Sequence, residues 1–339
     1  MGIHKLCEVI RERAPQAISQ TQIGKYRGWK VAIDASMILY QSLVAIRYGK
    51  DSLTNAQGET TAHIQGILYK TVNLLEKGVT PLFVFDGVAP DLKTELLDKR
   101  KERKVQAEKA LQLAEDLQEI EKLAKRTVRA TKYHVDSAQE LLRCLGVPYL
   151  VAPGEAEAYC SILNSTGIVD GVVTEDMDAL AFGAKVLLRN FLPALMKKGS
   201  IMEIKLDRVL ADMKLDQDSF VDLCILLGCD YCKSPKGVGP KKAFELIRDF
   251  KSINNLIANN KISAENSSIY KEAKDLFFLE EPSTHIPTTL TPLKPEDLTT
   301  FLVQQNNFDP TKVSNVIARM ERIQQTKPQK GLLAFFKPK

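Results

Sequence analysis

Four short apolar runs in this chain each close on carboxylates. KVAID ends at Asp34, TPLFVFD at Asp86, VPYLVAPGEAE at Glu155 and Glu157, and GVVTEDMD at Asp176 and Asp178. A fifth apolar stretch, CILLGCD, closes on Asp230. Runs rich in Val, Ile, Phe and Tyr, separated by helical patterns, predict parallel strands. The expected fold class is therefore α/β, with a mostly parallel central sheet flanked by helices. In an open sheet of this kind the ligand crevice lies beyond the carboxyl ends of the strands. Acids placed repeatedly at strand ends would converge there, and the leading reading is a metal-dependent active site.

The acids favour particular chemistry. Hard cations such as Mg²⁺ take oxygen ligands and retain water. Seven carboxylates exceed what one such ion needs, whereas two ions roughly 4 Å apart serve phosphodiester hydrolysis. Against two dications the seven acids leave three negative charges, so nearby cations must offset them before a phosphate can approach. Residues 93–132 contain twelve Lys or Arg and eight Asp or Glu, most of the chain's surplus of +5. Lys93 and Arg100 stand at the start of that segment, just past Asp86. By itself such a run reads as a solvated helical hairpin laced with i,i+4 pairs. A lone Asp at a strand end is more often a helix cap, and Glu155 and Glu157 suit a helix's first turn. The metal reading rests on the set, because no capping rule calls for seven acids in this arrangement.

The 339 residues allow two domains or one large domain with insertions, and 44% apolar content supplies ample core. No apolar run is long enough to span a bilayer, and no signal peptide is visible, so an intracellular, non-membrane protein is expected. MGIHKL carries the Gly2 of an acylation site but Leu6 where Ser or Thr is required. The six cysteines lie mostly inside apolar segments, which predicts buried thiols in a reducing compartment. Cys229 and Cys232 have CxxC spacing, but with no second CxxC and no nearby histidine they read as core packing.

Three further segments stand out. Residues 91–132 contain no Gly or Pro and few apolar positions, and predict a long helix or helical arch. SPKGVGPKKAFELIRDF turns through GVG directly into a helix, the helix–hairpin–helix signature. Its glycines let the backbone approach a phosphate, and the new helix's amides can receive it. Gly237, Val238, Gly239, Lys241 and Lys242 are the expected DNA contacts there, with Arg103 and Lys132 in the basic segment. The last residues, QKGLLAFFKPK, place Leu332, Phe335 and Phe336 on one face of a helical turn, an exposed apolar group that marks a partner site.

With these residues assembled, the chain resembles the flap endonucleases, a family of structure-specific 5′ nucleases. MGIHKL, KVAIDASMILYQ, VFDG, PGEAEAYC, TEDMDALAFG, LLGCDYC, GVGPKKA and the tail carry the likeness over almost the full length. The resemblance implies a PIN-like 5′ nuclease fold: a nuclease domain at 1–325 with an arch at about 91–132 and a helix–hairpin–helix at about 217–255, then a flexible tail at 326–339. It implies two Mg²⁺ ions, replaceable by Mn²⁺, held by Asp34, Asp86, Glu155, Glu157, Asp176, Asp178 and Asp230. Lys93 and Arg100 would project toward the scissile phosphate, and Tyr40 would stack on a terminal nucleotide. Carbonyls of Ser234, Pro235 and Val238 would hold K⁺ against the duplex. Gln329, Leu332, Phe335 and Phe336 match the box that binds the trimeric sliding clamp, proliferating cell nuclear antigen.

The likeness further implies cleavage of 5′ flaps at the junction with duplex DNA, with 5′-3′ exonuclease activity, in replication (Okazaki fragment maturation) and base excision repair. A monomer is expected, intracellular in any case and, if the source is eukaryotic, in the nucleus, with mitochondria as an alternative address. Two alternatives remain at this level: a sister 5′ exonuclease or junction resolvase, and a noncatalytic scaffold tethered to the clamp. The chain departs from the family pattern where Gly154 and Cys229 replace the usual serines. The basic extension typical after the clamp box is also missing.

Overall fold

The computed structural model describes residues 2–46, 54–55, 57–88, 102, 105–106, 130–192, 199–278, 282 and 286–325. Most of the expected arch and the whole tail lie outside these residues. With them go Lys93, Arg100, Arg103, Gln329, Leu332, Phe335 and Phe336.

Seven strands form one sheet: β1 (Ile18–Thr21), β2 (Lys30–Asp34), β3 (Thr80–Phe85), β4 (Tyr149–Val151), β5 (Gly171–Val173), β6 (Val186–Arg189) and β7 (Ile201–Lys205). Their order across the sheet is β1-β7-β6-β5-β2-β3-β4. β2 pairs in parallel with both β3 and β5, and β3–β4 and β5–β6 are parallel as well. β7 and β1 extend the sheet antiparallel at one edge. The expected mostly parallel sheet is thus present. β1 was not legible, because ISQT is largely polar and has no apolar run to announce a strand. An antiparallel edge strand tolerates that composition.

The strand alternation divides the core into two. Ala32, Leu82, Val84, Val172 and Leu187 face one side, together with helices Leu6–Arg13, Ala156–Ser165, Gln217–Leu227 and Pro240–Phe250. Val31, Ile33, Phe83, Phe85, Val173 and Leu188 face the other. There they meet helices Ala35–Ile46, Ala62–Glu76, Lys132–Leu145 and Pro310–Gln325. Burial on both faces explains why the central strands read as continuous apolar runs. Helix Ala62–Glu76 shows the complementary helical period, burying Ile64, Ile67, Leu68, Val72 and Leu75. No helix among the described residues is long and apolar enough to cross a membrane.

From β2 the chain moves outward through β3 and β4, then returns to β5 on the other side of β2. The crevice of a doubly wound sheet forms where the order reverses in this way. The fifth acid arrives by a different route. CILLGCD is the end of helix Gln217–Leu227, and Asp230 follows its last turn.

Candidate active site

Strand register places the acids along one edge of the sheet. Asp34 lies level with Val84, Ile33 with Val173, and Phe85 with Val151. Asp86, Asp176 and Glu155 therefore follow just beyond the same carboxyl edge. Asp34 ends β2, Glu155 is the residue before helix Ala156–Ser165, and Glu157 lies in that helix's first turn. Asp178 opens the short helix Asp178–Ala181 and is buried.

The capping reading of these acids is partly right. Asp34 Oδ1 accepts the Ser36 and Met37 amides at 2.8 and 3.3 Å. Asp86 Oδ1 accepts the Ala156 amide at 2.9 Å, and its Oδ2 accepts the Ser36 hydroxyl at 2.5 Å. Glu157 Oε1 accepts the Ala179 amide at 3.2 Å. Helix starts thus orient three of the acids. Glu155, however, makes no side-chain cap to its own helix, and its Oε2 accepts the Tyr231 hydroxyl at 2.7 Å. A carboxylate has two oxygens, so a single amide bond leaves acceptor capacity for another partner.

Burial and mutual repulsion mark the cluster electrically. Desolvation, with Asp86 next and Asp176 further off, pushes Asp34 up to about 7. Desolvation also raises Asp176, with Asp230 adding to it. Asp178 is raised well above the carboxylate range by burial and by Asp176. The Cys160 thiol is raised by its burial, and Asp34, Glu157 and Asp86 together add to it. Tyr231 is raised by burial and then by Glu155, with Asp178 and Glu157 contributing. Each of the seven acids thus influences the titration of another acid, of Cys160 or of Tyr231.

Among the described residues no three His, Cys, Asp or Glu side chains close around one point as a finished metal site. The chemistry of the donor set nevertheless fits hard cations. It is all carboxylate, and Asp176 Oδ1 is buried without a hydrogen-bond donor. Buried like charges of this kind stay ionised only beside cations.

Several neighbours escaped the sequence reading. The backbone at Gly2, with φ of +80°, runs over the Asp176–Asp178 pair, and a Cβ there would lie 1.7 Å from Asp176 Oδ1. The Ile3 amide donates to Asp178 Oδ1 at 2.6 Å. In the sequence Gly2 reads only as an acylation mark; its real signal is the need for a left-handed backbone without Cβ. Ser36 and Tyr231 carry no sequence signal beyond lying next to acids. Tyr40 sits one helical turn after Ser36, on the same face, and is 44% exposed at the rim.

The segment read as a helix–hairpin–helix contains helices Gln217–Leu227 and Pro240–Phe250, with Pro240 in the second helix's first turn as expected. Gly237 has φ of +76°, and Gly237, Gly239, Lys241 and Lys242 are exposed while Val238 is buried. The Pro235 carbonyl accepts the Val238 amide at 3.2 Å, and the Ser234 hydroxyl lies 3.0 Å from the Val238 carbonyl. Lys132 is exposed at the start of helix Lys132–Leu145.

Comparison with known proteins identifies the family. Residues 1–107 match the XPG N-terminal domain and residues 146–230 the XPG I-region. Flap endonuclease 1 of Homo sapiens is 43% identical over 99% of this chain and 91% of its own. The chain belongs to the flap endonuclease family of structure-specific 5′ nucleases. Among solved structures, flap endonuclease-1 from Methanococcus jannaschii matches with a TM-score of 0.70 and 33% identity, over 90% of this chain and 96% of that one. The catalytic core of Rad2 in complex with DNA substrate matches with a TM-score of 0.71 and 25% identity, over 94% of this chain and all of that one. The two XPG segments carry the acids: Asp34 and Asp86 in the first, Glu155 to Asp230 in the second.

Proposed function

We propose that this chain is a structure-specific nuclease that hydrolyses the phosphodiester at the junction of a 5′ flap and duplex DNA. The observation that supports the reading is that carboxylates from four strand ends and one helix end lie beyond one edge of the sheet, at its switch point, and are electrostatically coupled to one another or to Tyr231. Two divalent cations, Mg²⁺ as the family expectation, would supply activation of the attacking water and neutralise the leaving oxygen when bound. Asp34, Asp86, Glu155, Glu157, Asp176, Asp178 and Asp230 would hold them. Helix-start amides fix Asp34, Asp86 and Glu157, and Tyr231 fixes Glu155, so the oxygens that face the cations are aimed before DNA arrives.

Lys93 and Arg100 would offset the remaining negative charge at the scissile phosphate. Tyr40 offers an exposed ring on which a terminal base could stack, and the positive charges of Arg103 and Lys132 would attract the strand. The exposed Gly237 and Gly239 on either side of buried Val238, and the amides that start helix Pro240–Phe250, flanked by Lys241 and Lys242, would receive the duplex backbone. Carbonyls of Ser234, Pro235 and Val238 would share K⁺ there. Gln329, Leu332, Phe335 and Phe336 would tether the enzyme to the sliding clamp, and a replicative role places it in the nucleus.

Asp178→Ala tests the core of this reading. Flap cleavage should fall by orders of magnitude while flap binding survives or tightens slightly, since negative charge is lost. Near-wild-type turnover at saturating Mg²⁺ would show that the carboxylate cluster is not the active site. A parallel comparison of flap, nicked, gapped and four-way-junction substrates separates the flap preference from that of a sister exonuclease or resolvase.

A further inference from the structure

The nuclease reading makes no use of the CxxC pair. Cys232 is buried in the core, and Cys229, only partly buried against the same core, is in contact with it. Cys229 Sγ and Cys232 Sγ lie 3.5 Å apart. The Cys229 amide donates to the Cys232 carbonyl at 3.0 Å, so the four residues already close on themselves. Among the described residues no other two cysteine sulfurs share a hydrogen bond. The two residues inside the loop are Asp230 and Tyr231, and the Tyr231 hydroxyl orients Glu155 at 2.7 Å.

We propose that Cys229 and Cys232 are an oxidation site, forming a reversible disulfide that draws Asp230 out of ligating position and turns cleavage off. The proposal rests on the reading of Asp230 as a metal ligand. Bond formation brings the two sulfurs from 3.5 Å to about 2.05 Å. Both ends of the segment are tied down: the His4 amide donates to the Gly228 carbonyl at 3.0 Å, and the Ser234 hydroxyl reaches the Leu226 carbonyl at 2.7 Å. Movement therefore falls on the residues between, Asp230 and Tyr231 included. A metal ligand tolerates only about 0.2 Å of displacement.

A low-molecular-weight disulfide such as oxidised glutathione is a sufficient oxidant. The Cys229 sulfur gives up its proton and attacks one glutathione sulfur; the glutathione S–S bond breaks, and the released glutathione takes that proton. Cys232 then loses its proton and attacks Cys229 Sγ, breaking the mixed disulfide and releasing the second glutathione as a thiol. The two protein sulfurs lose two electrons, and the glutathione disulfide gains them.

The test uses the full chain and Cys229→Ser, each treated with oxidised glutathione and then alkylated. Peptide mass spectrometry reads the 229–232 cross-link, and single-turnover flap cleavage is measured across a Mg²⁺ titration. The wild type should lose two hydrogens in that peptide and cleave roughly tenfold or more slowly, with full recovery in dithiothreitol. Cys229→Ser should cleave like the reduced wild type and ignore the oxidant. Failure of the folded wild type to form the cross-link overturns the proposal. So does a cross-linked enzyme with the reduced enzyme's rate, or an oxidant effect that persists in Cys229→Ser. If the reduced wild type itself does not cleave, the nuclease reading has failed, and the cross-link yield still decides whether the pair is an oxidation site.

Discussion

Gly2→Ala is the most direct test of how the chain's N-terminal segment shapes the acid cluster. Two costs are built into the change. At φ of +80° an Ala adopts a left-handed conformation that costs about 1–2 kcal/mol. Its Cβ would also stand 1.7 Å from Asp176 Oδ1 and 2.2 Å from Asp178 Oδ1, where contacts under 3.0 Å do not persist. Either the Asp176 carboxylate retreats by about 1.3 Å, or the segment swings away. In the second case the Ile3 amide leaves Asp178, and a buried acceptor without its donor costs about 1–3 kcal/mol. Both routes displace candidate ligands several times further than the ~0.2 Å that metal coordination tolerates. Single-turnover flap cleavage at saturating DNA should fall by about 10² or more, while flap affinity, set by the wider basic surface, changes little. The melting temperature should drop by several degrees, on the order of that expected from about 1–5 kcal/mol, the range these costs span. Cleavage within about twofold of wild type at the same Mg²⁺ concentration would refute the idea that Gly2 holds Asp176 and Asp178 in place.

Other perturbations separate the remaining parts. With divalent ions chelated, Asp34 binds a proton in the fold up to about pH 7, whereas the unfolded chain releases it near its ordinary value. The folded state thus holds more protons between these limits, so apo stability should fall as pH rises through that window. Mg²⁺ should raise the melting temperature more at pH 8 than at pH 5, and an equal rise at both would show that Asp34 faces no cation. Lys93→Ala should lower the single-turnover rate by about 10²–10³ with little change in dissociation constant; a purely affinity-based loss would make Lys93 a docking residue. Replacing Phe335 and Phe336 with Ala should remove more than about 2 kcal/mol of clamp binding per ring and leave basal cleavage intact. Wild-type clamp affinity by calorimetry would sink the tether reading.

The sheet was legible wherever burial on both faces forced an apolar run, as in KVAID, TPLFVF and GVV. It was illegible at β1, whose residues answer to β7 across the sheet rather than to any local pattern. Identity and spacing likewise marked the seven acids, because a strand end is a position in sequence as well as in space. What escaped was everything supplied by residues distant in the chain. The Ile3 amide on Asp178 spans 175 residues, and the Tyr231 hydroxyl on Glu155 spans 76. Such partners carry no periodicity, and an amide donor has no side-chain identity to read. The CxxC shows the opposite limit. Its spacing was plain, but whether the two sulfurs touch depends on how the turn after Gly228 folds.

The same acids that make the site also strain the fold around it. Asp34, Asp176 and Asp178 are each raised by burial, and neighbouring carboxylates add to the rise, so burial and repulsion both favour their protonated forms in the absence of cations. Protonation relieves the repulsion but removes ligands, and only bound cations relieve it while keeping the oxygens charged. On the proposed two-metal reading, cation binding would release protons and stabilise the fold in the same step. The N-terminal segment adds to this coupling from the far end of the chain: the Ile3 amide favours the ionised form of Asp178, opposing the burial that raises it. The sheet's switch point brings the acids to one edge, and the amides around it favour their ionised forms against the burial that opposes them.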